Sequence, residues 1–179
     1  MGEKDIPKRI YLDTSYLIPI IKKRVTDKSD EKSSIVERSM YRARDNYKII
    51  IPQIVVGELF AKIPELMKNL TDEAHQLEVA KVVSSLIGVL EDYTGEEFIG
   101  LIPINREAID ISLRIVEYES RITDPTDSLL VAQAAADPHS EYLLTFDRDI
   151  LQSNGIRTFI KNLVDDGVRS YELKITDEL

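Results

Sequence analysis

The chain of 179 residues contains no cysteine, which excludes disulfides, thiolate metal sites and cysteine nucleophiles outright. It also lacks any apolar run near the roughly 20 residues that cross a bilayer. The opening stretch, MGEKDIPKRIYLD, has no apolar segment of the signal-peptide kind, so a cytoplasmic protein with no membrane association is expected. There is no GxxxxGK[ST] to cradle nucleotide phosphates and no GxSxG elbow to present a serine nucleophile. Histidine is scarce. His75 and His139 are the only two, and both stand in polar surroundings that read as surface. No internal repeat, low-complexity stretch or clear linker breaks the chain.

Positive charge is also in short supply. The formal net charge is −9 and the pI about 4.8, which argues against a phosphate-rich partner, since phosphate contacts need a basic surface. The deficit is uneven, however. Residues 1–48 hold 12 Lys/Arg against 8 Asp/Glu, a net of +4, and residues 49–179 hold 11 against 24, a net of −13. A basic edge beside an acidic body is one arrangement that this allows.

What is present is ordinary for a soluble globular protein: 43% hydrophobic and 31% charged residues. The length suits one domain over residues 1–179, with a helical segment at about 65–95 that either extends it or forms an interface. Short apolar runs read as strands at Arg9–Leu12, Lys48–Ile51, Ile99–Ile104, Tyr142–Phe146 and Ile156–Ile160, and the tail from Arg169 to Ile175 can add an edge strand. Between them lie helical patterns. One begins near Tyr16, with Thr14 or Ser15 as cap, ahead of a polar connection from Lys22 to Ser34. Others span Glu31–Asn46, Gln53–Lys62 as far as an interruption at Pro64, and Thr71–Tyr93. A further helix begins at Asn105. Another opens at Asp124, with Pro125 in the first helical position and Asp127 in the first turn. Asp149–Asn154 is read as a last helix, with Gly155 as its C-cap. Strands alternating with helices predict an α/β fold, a three-layer α/β/α with a central, mainly parallel sheet of about five strands.

Four carboxylates stand out from the 32 acids. Asp13 and Asp147 each follow a buried strand and precede a helix, a place that suits a capping acid as well as a catalytic one. If those two strands are neighbours, both side chains enter one crevice at the carboxyl edge of the sheet. Glu58 lies inside the apolar stretch IVVGELFA, where an unpaired buried carboxylate is costly; the alternative rolls it to solvent beside Lys62. Asp127 is explained equally well by the helix macrodipole, and Asp124 and Asp149 are neighbouring competitors. Gathered in one crevice, Asp13, Glu58, Asp127 and Asp147 repel one another unless protons or cations neutralise them. An all-oxygen set of this kind suits Mg²⁺ or Mn²⁺, and such ions activate water for displacement at phosphorus.

The segments YLDTSYLI around Asp13, VVGELF around Glu58, DSLLVAQAAA from Asp127 and LLTFDRDI around Asp147 resemble, in order, spacing and apolar setting, the four acidic motifs of the PIN-domain family. Within that family the resemblance is to the single-domain ribonucleases of the VapC type, and it spans nearly the whole chain. It implies a parallel sheet flanked by helices, with Asp13, Glu58, Asp127 and Asp147 as metal-site acids for Mg²⁺ or Mn²⁺. Ser15 and Thr145 match hydroxyl positions that orient such a site. The activity implied is hydrolysis of RNA, with a homodimer and an antitoxin protein as expected partners. The surplus apolar side of the 71–93 helix suits either. Lys22, Lys23, Arg24, Arg38 and Arg42 are the candidate guides for the RNA backbone. The alternative, a PIN-like processing or scaffold subunit with little or no turnover, stays open. A phosphatase of the haloacid dehalogenase type is disfavoured, because Ser15 stands where that family needs a second aspartate.

Overall fold

The computed structural model describes residues 8–44, 46–66, 75–93, 101–119 and 124–179. Its centre is β1 (Arg9–Leu12), which runs directly into α1 (Thr14–Thr26) and then α2 (Glu31–Ala43). The chain returns as β2 (Lys48–Pro52), α3 (Gln53–Leu66) and α4 (His75–Tyr93) to the two-residue β3 (Leu101–Ile102). Next come α5 (Arg106–Tyr118), α6 (Pro125–Ala136) and β4 (Ser140–Leu144). The short α7 (Arg148–Leu151), α8 (Asn154–Asp165) and β5 (Lys174–Thr176) complete it.

Strand order is β3-β2-β1-β4-β5, and every pairing is parallel. Four strands have three to five residues; β3 is a minimal edge. Residues Ile10–Leu12 and Ile49–Ile51 are buried without exception, as strands covered on both faces must be. From β1 the chain steps outward twice through α1–α4, then crosses back from β3 to β4 and steps outward the other way. With right-handed crossovers, this reversal places α1–α4 on one face and α5, α6 and α8 on the other. The packing agrees: α1 lies against α2, α3 and α4, and α5 against α6 and α8. The architecture is therefore the expected three-layer α/β/α. No helix among the described residues is long and apolar enough to cross a membrane.

Several local expectations are corrected. Ile156–Ile160 is not a strand but part of α8. Ile156, Phe159, Ile160 and Leu163 fall at helical spacing and form one fully buried face. A five-residue apolar run carries too little periodicity to tell the two apart. The edge strand of the tail, β5, fills the fifth place instead. Gly155 does not cap a helix C-terminus; it lies in the first turn of α8, where a Cβ would stand 2.5 Å from the Tyr118 carbonyl. Only a residue without a side chain lets α8 come that close to α5. The last helix before it is shorter than expected, Arg148–Leu151.

Helix α1 absorbs Lys22–Thr26 from the expected polar connection and ends at Asp27, whose φ of 55° is left-handed. Its N-cap is Asp13, not Thr14 or Ser15. Helix α3 continues through Pro64, which falls in the last turn, where few intrahelical bonds remain to be lost. The inner face of α2 is Ser33, Val36, Ser39, Met40 and Ala43. On α4, Val82, Leu86 and Val89 are buried, whereas Leu77 is exposed. The expected 71–74 turn and strand residues 99–100 lie outside the described residues. On α5, Ile109, Leu113 and Val116 face solvent, opposite Ala108, Ile111 and Ile115.

The amino-terminal edge of the sheet holds its own polar cluster. Arg169 is buried, and its guanidinium donates to the carbonyls of Ala134, Ala135, Asp137 and Ser140. It thereby satisfies the exposed end of α6. Asp137 in turn accepts from Arg9 at 2.9 Å and from the Tyr11 hydroxyl at 3.0 Å.

Candidate active site

The order β3-β2-β1-β4-β5 reverses direction between β1 and β4. In open parallel sheets, the crevice beyond the carboxyl ends at such a switch point is where sites form. Leu12 and Leu144 are paired partners there, so Asp13 and Asp147 emerge side by side. The Asp13 N–H donates to the Leu144 carbonyl at 3.0 Å. The condition set by the sequence, that these strands be neighbours, is met.

Asp13 is the most deeply placed acid, 4% exposed. Although it is the N-cap residue of α1, its side chain caps nothing. Its Oδ2 instead accepts from Ser15 Oγ and, at 2.7 Å, from Thr145 Oγ1. Burial pushes its carboxyl above the ordinary range; the two hydroxyls work against that, and nearby Glu58 adds to it. Thr145 is itself fully buried and accepts from the Asp147 N–H at 2.8 Å. Ser15 accepts from the Phe146 N–H at 2.9 Å. These bonds tie the start of α1 to the loop after β4.

Glu58 is not rolled to solvent. Its Oε2 accepts the hydroxyl of Thr14 from across the crevice, and Lys62 pairs with Glu65 at 3.5 Å. Asp147 does cap a helix: Oδ1 accepts from the N–H groups of Asp149 and Ile150 at 2.7 and 3.3 Å. Asp124 is the N-cap of α6, held by Thr126, which frees Asp127 from capping. Asp149 has no bond into the crevice; its N–H serves Asp147.

Asp127 registers the convergence of the set. Its carboxyl is pushed up to about 7, first by burial and then by repulsion from Asp147, Asp13, Asp124 and Glu58. Four acids from four separate elements therefore share one field. Glu58 accepts at Oε2 and Asp147 at Oδ1, Asp13 accepts from both hydroxyls at Oδ2 and also from the Thr14 backbone, and Asp127 accepts no hydrogen bond from the described residues.

Among the described residues, no three such side chains are gathered into a cluster that could hold a metal ion as they stand. The donor chemistry nevertheless fits Mg²⁺ or Mn²⁺. The uncommitted atoms are all hard oxygens, Mg²⁺ is usually held by only one or two carboxylates plus water and phosphate, and a cation would relieve the repulsion seen at Asp127.

The basic residues divide into two groups. Lys22, Lys23 and Arg24 lie at the far end of α1, roughly 14–17 Å along the helix from Asp13 at about 1.5 Å per residue. Lys23 pairs there with Glu37 at 2.5 Å, and Arg24 packs over Gly88 of α4. On α2, Arg38 and Arg42 both approach Glu178 of the tail, at 3.3 and 3.5 Å. Sequence reasoning missed three side chains at the crevice. Thr14 was read only as a cap, although the Asp-Thr-Ser run offers two adjacent hydroxyls. Phe146 and Lys32, whose Nζ stands 4.9 Å over the Phe146 ring, left no local signal.

No protein-family model matches the chain, and no curated protein matches it. Among solved structures, it is similar to VapBC2 from Rickettsia felis, bound to a DNA fragment from its promoter. The match has 14% identity and a TM-score of 0.58, and covers 93% of this chain and 98% of that one. It is also similar to VapC20 of Mycobacterium tuberculosis, a Sarcin-Ricin loop cleaving toxin. Here identity is 12% and the TM-score 0.52, over 81% of this chain and 95% of the other. With the switch-point geometry, these likenesses establish that the chain has the VapC-like PIN-domain fold.

Proposed function

We propose that the protein is a metal-dependent endoribonuclease that hydrolyses RNA phosphodiester bonds, acting as the toxin of a toxin–antitoxin pair. What supports this reading is the electrostatic coupling at the switch point, where burial and repulsion from Asp147, Asp13, Asp124 and Glu58 push the Asp127 carboxyl up to about 7, beside the bonds that tie Thr14 to Glu58 and Thr145 to Asp13. Mutually repelling carboxylates on a rigid sheet are costly to the apo fold and useful to a cation site. The fold it shares with VapC20, a Sarcin-Ricin loop cleaving toxin, is consistent with this reading.

A bound Mg²⁺ or Mn²⁺ would acidify water and offset charge at phosphorus. The chain's own residues supply the positioning. Ser15 and Thr145 hold Asp13 by one oxygen, Thr14 holds Glu58, and the α7 N–H groups hold Asp147. The remaining oxygen of each is thereby aimed rather than free to rotate. Asp127, with no internal donor, is the acid available to orient the attacking water. Exposed Phe60, Leu77 and Ile87, together with Ile109, Leu113 and Val116 of α5, offer apolar surface for an antitoxin or a second copy.

The test is cleavage of a mixed pool of structured and single-stranded RNA, with Mn²⁺, Mg²⁺ or chelator, beside Asp13→Asn. Cutting that needs the metal and is lost in the variant supports the nuclease. No cutting, together with no Mn²⁺-dependent rise in melting temperature, replaces it with a processing or scaffold subunit.

A further inference from the structure

The lip of the acid crevice carries a pair that none of the metal-site reasoning uses. Phe146 sits between Thr145 and Asp147, and its N–H is held by Ser15. One face of its ring stacks on Tyr16, with centroids 4.8 Å apart and planes 22° from parallel. Tyr16 is fully buried and so fixes the ring from behind. The ammonium of Lys32 lies over the ring at 4.9 Å. Two groups at such similar distances from the centroid cannot share a face, so Lys32 covers the outer one.

The place of Lys32 is unusual for a lysine. It falls in the first turn of α2, after the N-cap Asp30, where the positive end of the helix dipole disfavours a cation. Its attraction to Asp30 stops short of an ion pair. Lys23, Arg38 and Arg42 nearby are each paired with a carboxylate, whereas Lys32 forms no ion pair with the described residues and is exposed. A long flexible cation resting on an aromatic face gives that face up when a better partner arrives. Stacking surfaces with an adjacent cation are what single-stranded nucleic acid requires.

We infer that Lys32 and Phe146 form a nucleotide clamp beside the crevice: the ring stacks a base of single-stranded RNA, and the ammonium swings off it to the neighbouring phosphate. This rests on the ribonuclease reading for the identity of the strand. The clamp also brings a positive charge to the edge of a site lined by carboxylates. Phe146 and Lys32 are positioning residues, since neither reaches the reacting atoms through any contact in the fold.

The experiment uses the full chain and a short single-stranded RNA with one 2-aminopurine. Anisotropy is read in chelator over a range of salt, and steady-state cleavage is read in Mn²⁺. Phe146→Leu keeps apolar packing on Tyr16 and is expected to weaken binding by about tenfold, at the modest end of base–aromatic stacking, and to abolish 2-aminopurine quenching. Phe146→Tyr restores both. Lys32→Gln is expected to lower the slope of log K against log salt by about 0.7, one phosphate contact on a single strand. In cleavage, both Phe146→Leu and Lys32→Gln raise KM more than they lower kcat. Melting temperatures confirm that the variants fold. If the parent cuts RNA and the folded variants bind and cut like it, the clamp is overturned and the ribonuclease stands. If the parent binds with quenching but never cuts, the ribonuclease reading falls and the clamp is supported. A parent that binds no RNA removes both.

Discussion

Replacing Asp127 by asparagine should stabilise the metal-free protein, although it removes a residue assigned to the active site. The carboxyl is pushed up to about 7 in the fold, against an ordinary value near 4. Between roughly pH 4 and pH 7, the folded chain therefore holds a proton that the unfolded chain has released. Stability falls as the pH rises through that window and reaches its full deficit above about 7. At about 1.4 kcal/mol per tenfold of proton affinity, the whole rise is worth about 4 kcal/mol. Asp127 is only half-buried, so solvent screening reduces this to about 2 kcal/mol. Asparagine carries no charge and breaks no internal bond, because Asp127 accepts none from the described residues. The expected gain is therefore near zero at about pH 4 and about 2 kcal/mol at about pH 8, or roughly 4–8 °C in melting temperature. Thermal melts in chelator at both pH values measure it. Saturating Mn²⁺ should reverse the ranking, because a ligand at about a hundredfold over its Kd adds about 2.7 kcal/mol to the parent alone. A variant less stable than the parent at about pH 8 in chelator, or a gain independent of pH, would refute the shared-field argument.

Three further outcomes follow from the same geometry. Thr145→Val removes the donor to Asp13 Oδ2 and the acceptor of the Asp147 N–H in a fully buried place. It should cost about 1–3 kcal/mol in urea unfolding and lower kcat; an unchanged kcat would show that the hydroxyl does not position the acids. Arg169→Met strips four buried carbonyls of their donor at the opposite edge of the sheet. A loss of about 3–5 kcal/mol is expected, with Mn²⁺ affinity of the folded protein unaltered by titration. Neutralising Lys22 should flatten the salt dependence of RNA binding, whereas Arg38→Gln should matter less, because Glu178 already engages Arg38. Equal slopes for both variants would contradict that division.

Much of the chemistry was legible one segment at a time. Asp124 before Pro125 marks a helix start by itself, and the structure places the cap there. Burial of Ile10–Leu12 and Ile49–Ile51 follows from apolar runs of strand length, and a parallel sheet follows from their alternation with helices. The cost of burying Glu58 unpaired inside IVVGELFA marked it out among the acids, and the Thr14 hydroxyl is what it meets in the fold. Other segments were not legible because competing local rules are nearly balanced. Ile156–Ile160 satisfies a buried strand and a buried helix face equally, and only packing against α5, which requires Gly155 at its close approach, selects the helix. On α5 itself, apolar residues lie on two sides, and nothing within that stretch says which side meets α6.

The sequence by itself determined the residue types, the start of α6 at Asp124, the strand–helix alternation and the placing of acids at the ends of buried strands, because all of these rest on interactions within a few residues. Tertiary structure alone decided that β1 and β4 are neighbours, and hence that Asp13 and Asp147 share a crevice with Glu58 and Asp127. It also decided which donors hold Asp13, Glu58 and Asp147. Those facts depend on contacts between residues 44 to 132 positions apart, such as Thr14 with Glu58 and Thr145 with Asp13. No local pattern encodes such pairs; they form only when the crossovers close the sheet and bring separate strand ends to one edge.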